Sequence, residues 1–344
     1  MSDVTRTVLV TGANGYLALH VIDQLLKKGY HVCGTVRSEK AERTVRDTFP
    51  AFFGSKLRTA FVRDLTKPED FEEAFTRDIF GVIHVASPAP SVVQDNVRDM
   101  LDPAVKGATS VLEACKLYAS ASFQRVVHTS SLAACLDALK GPRPGYTYTE
   151  SDWNPATFEQ AITIQDPVAL YIASKALSEK AVWTWMEGRN PHFDLTCLNP
   201  AMVLGPHLEQ VGSLDEIKST AKLLWQLVDA TKIPDLDFAG CVDVRDTATM
   251  LVAALEVPAA SGQRFLLSHH FDWQTAADEA GKLEAAQGRI PKGRPGTGKE
   301  EALRNMYQVD GRKAVDVLRV DYRPLSTTIM DTLDQFFEVE KRCP

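Results

Sequence analysis

One stretch near the amino end, VLVTGANGYLALH at residues 8–20, limits the possible folds more than any other. An apolar run leads straight into a loop with Gly12, Gly15 and Ala18 at three-residue spacing. The loop opens an amphipathic segment that stops at Gly29. An apolar strand turning at once into a helix is the first half of a βαβ unit. Glycine dispenses with a side chain where a backbone must pass close to a neighbour, and unbonded N–H groups at a helix start attract an anion. In this placement the spacing predicts the pyrophosphate site of a dinucleotide, with Gly12, Asn14, Gly15, Tyr16 and Leu17 as the binding loop.

The rhythm continues for two hundred residues. YHVCGTVR, LRTAFVRDL, GVIHVAS, QRVVHTSS and FDLTCLNP read as strands two to six, with helical segments between them. Such alternation implies parallel strands joined by right-handed crossovers, an α/β doubly wound sheet of the Rossmann type. Ligands in such sheets bind beyond the carboxyl ends of the strands. After Pro200 the pattern changes. Residues 213–230 read as a helix, and FAGCVDVRDTATMLVAALE reads as a strand-to-helix return to the main sheet. QGRIPKGRPGTGKE reads as a mobile surface loop, and residues 310–340 hold helical pieces. The division expected is a dinucleotide-binding domain over 1–204 and 239–262, with a smaller, discontinuous, substrate-binding domain over 205–238 and 263–344.

The chain's 344 residues can bury one large core or two smaller ones. A net charge of -7 argues against a general binder of nucleic acid or anionic membrane. No apolar run reaches the roughly 18 residues of a membrane span. The start, MSDVTRTVLV, enters a strand at once and leaves no room for a signal peptide, so a cytoplasmic protein is expected. Six scattered cysteines without a CxxC read as buried, reduced thiols, and no metal is called for.

The end of the second strand chooses between dinucleotides. An NAD site wants an acidic residue about 20 positions after the loop. Here GTVRSEK puts Arg37 there, and a guanidinium can pair with a 2′-phosphate and lie flat on adenine. Ser38 could donate to the same phosphate, while Glu39 is the one carboxylate that argues for NAD. NADP is therefore favoured. Asp64 and Leu65, ending the third strand, are placed to touch adenine; Val85, Ala86 and Ser87, ending the fourth, line the cofactor trough. GRPGTGK at 293–299 has the spacing of a nucleotide-triphosphate loop, but Glu300 stands where Ser or Thr would hold magnesium, and no buried strand precedes it.

The chemistry lies in DPVALYIASKALSEKAVWTWMEG. Asp166 suits an N-cap, Pro167 the first helical position and Gly188 the far end, which places Tyr171 and Lys175 four apart on one face. The fifth strand ends in His128-Thr129-Ser130-Ser131. A free phenol titrates near pH ~10, and a neighbouring ammonium together with an oxidised nicotinamide favours its ionised form. Tyr171 can then protonate a carbonyl oxygen, Ser131, preferred over Ser130, can hold that oxygen, and Lys175 can hold the nicotinamide ribose.

TGANGYLA, TSS, YIASK, LNPAMVLGP and VDVRDTA together resemble the extended short-chain dehydrogenase/reductase family. The branch is that of dihydroflavonol 4-reductase-like enzymes and fungal-type NADPH-dependent aldehyde and ketone reductases. The resemblance runs from about residue 5 to about residue 270. It implies Ser131, Tyr171 and Lys175 as the catalytic set, Asn199 and Pro200 in the LNP segment, and Pro200 and Val203 beside the nicotinamide. Val242, Asp243 and Arg245 would be structural and link the two domains. Plant members often carry a lysine seven residues after the arginine; here that position is Thr44, with Lys40 and Arg43 as substitutes. The pocket walls expected are Ser87, Pro88, Leu132, Ala133, Ala201, Met202 and Trp225, a mostly apolar set suited to a neutral, fairly hydrophobic aldehyde or ketone reduced by NADPH. The rivals are a sugar-nucleotide epimerase or dehydratase, a hydroxysteroid-type dehydrogenase, and an NADP-sensing regulator without turnover. A monomer or homodimer is expected.

Overall fold

The computed structural model describes residues 6–87, 92–217 and 219–343. Its strands are β1 (Thr7–Thr11), β2 (His31–Val36), β3 (Leu57–Phe61), β4 (Ile79–His84), β5 (Arg125–Thr129), β6 (Thr147–Tyr148), β7 (Asp194–Pro200), β8 (Met202–Leu204), β9 (Gly240–Asp243), β10 (Arg264–Leu267), β11 (His269–His270) and β12 (Gln308–Val309). Its helices are α1 (Tyr16–Lys27), α2 (Glu39–Thr48), α3 (Asp102–Tyr118), α4 (Phe158–Ala161), α5 (Pro167–Arg189), α6 (Val244–Glu256), α7 (Trp273–Ala280), α8 (Gly298–Asn305), α9 (Arg312–Leu318) and α10 (Leu325–Arg342).

Seven parallel strands form the main sheet in the order β10-β7-β5-β4-β1-β2-β3. Successive side chains of a strand point to opposite faces, and the core divides accordingly. Val8 and Val10 of β1 join α1 and α6 in one layer, whereas Leu9 joins α3 in the other. From β1 the chain winds outward through β2 and β3, then crosses to the other side for β4. The crevice between β1 and β4 is thus the point where strand order reverses, the usual ligand position in such sheets.

Local signals account for the helices that frame this crevice. At the end of α1, Gly29 (φ +88) lets its own N–H reach Leu26 O and that of Tyr30 reach Leu25 O, each 3.0 Å, a left-handed C-terminal cap. Asp166 caps α5 by accepting from Ala169 N at 2.7 Å, with Pro167 in the first turn. That helix passes through Gly188 and ends at Asn190, whose left-handed backbone (φ 39, ψ 59) takes the capping role expected of the glycine.

The carboxyl-terminal third departs from expectation in three places. β9 pairs with β8 and β11 in a separate three-stranded sheet, and the seventh main strand is β10, hydrogen-bonded to β7. A boundary at residue 262 therefore cuts β10 away from the sheet to which it belongs. Residues 213–230 form two 3₁₀ turns, Leu214–Glu216 and Thr220–Leu227, instead of one α-helix. Ala221, Leu224 and Leu227 are buried at intervals of three, and a period of three matches three residues per turn. The glycine-rich loop before α8 is joined to α7: Gln274 and Asp278 accept from Arg294 N and Gly296 N, each at 2.8 Å.

Asp243 and Arg245 join the two parts of the chain. Asp243 caps α6 and accepts from Thr328 Oγ1 of α10 at 2.8 Å, while Arg245 pairs with both Asp243 and Asp331. Five of the six cysteines are buried thiols; Cys343 is exposed. Among the described residues no helix is long and apolar enough to cross a membrane.

Candidate active site

The glycine loop occupies the crevice. Gly12 sits in the left-handed region (φ +65), and a Cβ there would lie 3.0 Å from Ala86 Cβ and 3.2 Å from Ala86 Cα. The close neighbour is thus the end of β4, whose descent is set by Thr11: its hydroxyl accepts from Val85 N and Ala86 N, each at 3.0 Å. Gly15 precedes α1 without a capping side chain, so the first-turn N–H groups of Tyr16, Leu17 and Ala18 have no partner among the described residues. This is the donor arrangement that takes a phosphate. Leu17, Val85 and Val203 pack against the same apolar cluster.

Beside the loop lies a cleft of about 1130 Å³, lined by Asn14, Gly15, Tyr16, Arg37 and α2 on one side and by residues 207–212 with Glu216, Ile217, Ser219 and Thr220 on the other. Arg37, Lys40 and Arg43 are exposed, and among the described residues none of their cationic groups has a hydrogen-bond or ion-pair partner. Ser38 Oγ caps α2 by accepting from Ala41 N at 3.3 Å, which leaves its proton free to donate. The Tyr16 hydroxyl faces away from this duty: it donates to Gly205 O at 2.7 Å and its ring lies 4.5 Å from that of His207. Burial, with Asp243 and Glu209 nearby, raises the Tyr16 pKa well above its usual value. Asp64 turns its carboxylate onto Thr66, accepting from both its N–H and hydroxyl, and those bonds hold its pKa below the usual range. Leu65 O accepts from Ser110 Oγ.

At the other end, α5 carries Tyr171 and Lys175, and Lys175 reaches the ends of the adjacent strands β4 and β5. Tyr171 is 39% exposed. Lys175 Nζ donates to Ser87 Oγ at 2.8 Å and lies 5.6 Å from the Tyr171 ring centre, so helix and strand end are joined at the crevice. His84 and His128 stack at 5.3 Å beneath them. Burial lowers the pKa of both; for His128, burial and the Lys175 cation bring it down to about 3, so both rings are neutral near pH 7.

The structure separates the two serines of TSS. Ser130 Oγ is buried and donates to Glu179 Oε2 at 2.5 Å. Ser131 is half-buried and its Oγ accepts from Ala133 N at 3.2 Å; among the described residues its own proton has no acceptor. Of the two serines, Ser131 is the one whose hydroxyl proton has no acceptor among the described residues.

The expected pocket walls are less uniform. Leu132, Ala133, Ala201 and Met202 are buried, Leu132 and Ala201 in one apolar cluster and Met202 in another. Trp225 packs on Phe337 at 5.1 Å and Phe336 at 6.3 Å of α10, as part of the smaller unit's core. Ser87 meets Lys175, and Pro88 lies outside the described residues. Sequence reasoning passed over Glu179, a buried carboxylate that also accepts from Asn199 Nδ2 at 2.5 Å, Arg264 Nε at 2.6 Å and Trp183 Nε1 at 3.4 Å. The one signal available was its place four residues after Lys175, among the apolar neighbours of a long helix.

Residues 8–267 match the NAD dependent epimerase/dehydratase family. The NADPH-dependent methylglyoxal reductase of Saccharomyces cerevisiae is 36% identical over 348 residues, covering 98% of this chain and 99% of that protein. The crystal structure of the yeast methylglyoxal/isovaleraldehyde reductase complexed with NADPH superposes with a TM-score of 0.88 at 35% identity, over 98% of this chain and 99% of that one. A Candida albicans relative solved as an NADPH complex gives a TM-score of 0.86 at 31% identity, over 97% and 99%. The chain belongs to the NAD dependent epimerase/dehydratase family, on the extended short-chain dehydrogenase/reductase branch that holds the fungal carbonyl reductases.

Proposed function

We propose that this protein is an NADPH-dependent carbonyl reductase that turns a neutral, fairly hydrophobic aldehyde or ketone into an alcohol, with Tyr171 as the proton donor. The observation that carries the reading is the meeting of α5 with the ends of β4 and β5, where Lys175 Nζ bonds Ser87 Oγ and Ser131 holds a free hydroxyl proton.

The residues present fit the coenzyme. The unpartnered N–H groups of the first turn of α1 suit a pyrophosphate, and the unpaired Arg37, with Lys40 and Arg43 in the same cleft, suits the 2′-phosphate. NADPH, when bound, supplies the hydride. The protein supplies the proton and its direction. Tyr171, on the exposed side of α5, gives its phenolic proton to the carbonyl oxygen, and the Lys175 ammonium stabilises the phenolate left behind. Ser131 donates to the same oxygen and fixes its orientation. Among the described residues no clamp for a substrate carboxylate or phosphate is built at this end, in keeping with an uncharged substrate. The reading is of a cytoplasmic enzyme that acts as a monomer or homodimer, and the net charge of -7 argues against a general nucleic-acid partner.

A panel of aldehydes, diketones and ketoesters scored by NADPH oxidation tests the reading. Turnover of several neutral carbonyls is expected. Coenzyme binding without oxidation across the panel would instead make the protein an NADP-responsive binder.

A further inference from the structure

We propose that Glu179 is the positioning residue of this active site, keying the helix that carries Tyr171 and Lys175 to the strand end that carries Ser131. The inference rests on the reductase reading above. Glu179 is fully buried on α5, one turn after Lys175 and two after Tyr171. Its two oxygens do different work. Oε2 accepts from Ser130 Oγ at the end of β5 and from Asn199 Nδ2 near the end of β7, each at 2.5 Å. Oε1 accepts from Arg264 Nε at the start of β10 at 2.6 Å, and from Trp183 Nε1 on the same helix at 3.4 Å. One carboxylate thus ties α5 to β5, β7 and β10, three strands adjacent in the sheet.

The Oε2 side leads to the reacting groups. Asn199 Nδ2 also donates to Ser131 O at 3.1 Å, so the backbone of Ser131 is held by the amide that Glu179 holds. The orientation of this amide is dictated, since turning it over would set its oxygen against two acceptors. Ser130, the immediate neighbour of Ser131, is the second link. A slide of α5 that broke these bonds would also move Tyr171 relative to Ser131, and misplacement of about 1 Å in a reacting pair can lower a rate on the order of a hundredfold. The Oε1 side balances charge. Arg264 is nearly buried, also bonds Glu150 O at 2.5 Å and Asp152 O at 2.9 Å, and stacks 3.6 Å from the Trp153 ring centre. A buried ion pair is seldom the most stable filling for such a space, and apolar side chains of similar volume often do as well. Retaining the charged arrangement is therefore what a demand for register, rather than for stability alone, would leave behind.

The two oxygens allow a test that separates position from folding. Ser130→Ala and Glu179→Gln are expected to lower kcat about tenfold or more, with the dissociation constant for NADPH within about twofold of wild type. Arg264→Lys is expected to lower the melting temperature while kcat, per folded molecule at 25 °C, stays within about twofold. Wild-type kcat in Ser130→Ala, or a loss in Arg264→Lys equal to that in Glu179→Gln, would overturn the proposal and leave Glu179 a residue of folding only. Should Glu179→Gln fail to fold, Ser130→Ala against Arg264→Lys decides alone. Tyr171→Phe, assayed beside them, reports on the reductase reading itself: if it alone keeps wild-type rate, the proton-donor role fails and the register of the site does not.

Discussion

Beneath α5 many polar groups are already engaged with one another: Lys175 holds Ser87, Ser130 and Asn199 meet on Glu179, and Thr11 bonds both His84 and the N–H groups of Val85 and Ala86, while His128 Nδ1, Thr129 Oγ1 and Asn199 Oδ1 have no partner among the described residues. Beside α2, at the other end of the same crevice, Arg37, Lys40 and Arg43 stand exposed, without an acceptor among the described residues. The contrast follows from what each end must do. Groups that stabilise charge during a reaction are most effective when fixed beforehand, since no reorganisation is then needed as the charge develops. Groups that select a ligand by its charge lose that ability if the protein neutralises them first. On the function proposed above, one end serves the chemistry and the other the choice of coenzyme.

The strongest way to break this comparison is to remove the phenol. Tyr171→Phe is expected to lower NADPH-linked carbonyl reduction by roughly 10²–10⁴-fold, the range for losing a positioned acid. Because the ring and the Lys175–Ser87 bond remain, coenzyme affinity measured by fluorescence titration should change by less than about twofold. Wild-type turnover in this variant would remove the chemical end from the comparison.

The selecting end is tested by reversing its charge. Arg37→Glu removes charge-assisted bonds worth about 1.5–3 kcal/mol each, and at 1.4 kcal/mol per tenfold the NADPH-over-NADH ratio of kcat/KM should fall roughly 10–100-fold. Turnover with NADH should persist, since α5 is untouched. An unchanged ratio would transfer the selecting role to Lys40 and Arg43, and the double variant of those two would then show it.

These two ends were not equally legible in the sequence. The glycine loop, the Asp166-Pro167 helix start and the Tyr171–Lys175 spacing follow rules that act over three or four residues, so the sequence carries them openly. Sheet membership does not work that way. β9 and β10 are both four-residue, largely buried strands, and which of them joins the main sheet is settled by pairing with residues some forty to seventy positions away. The 3₁₀ turns over Thr220–Leu227 were hidden because apolar residues at i and i+3 suit either kind of helix. Ser131 and Ser130 look alike until Glu179 claims one of them, and Glu179 itself resembles any other glutamate on a helix.

Gly12 sharpens the boundary between the two ends from within. Its left-handed backbone and the nearness of Ala86 mean that Gly12→Ala strains the protein before any ligand arrives. A loss of about 1–2 kcal/mol is expected from the backbone alone, read as a lower melting temperature in the absence of coenzyme. A melting temperature that fell only when NADPH was present would instead assign this glycine to the ligand.

The smallest effect expected concerns the two histidines under Lys175. Both are buried and neutral, with His128 held down to about 3 by burial and by the Lys175 cation, and His84 lowered by burial and by His128. In the unfolded chain each imidazole titrates near ~6.5, so as pH falls below that value the unfolded state takes up protons that the folded state refuses. Stability is therefore complete above about pH 6.5 and declines as pH falls from there toward 3. For His128 the loss between pH 7 and 6 is on the order of 1 kcal/mol, and His84 adds in the same direction. Asp243, Asp272 and Glu209, whose carboxyl pKa values are depressed, add their loss only at lower pH. The His128→Asn variant removes one of the refusing groups, and thermal melts from pH 7 to pH 5 should show a shallower slope than the parent. The slope is the readout because any packing defect the substitution introduces lowers all points together. Equal slopes would mean that His128 is protonated in the folded protein after all, with its charge set directly against Lys175, and the chemical end of the crevice would then be less fully arranged in advance than its hydrogen bonds indicate.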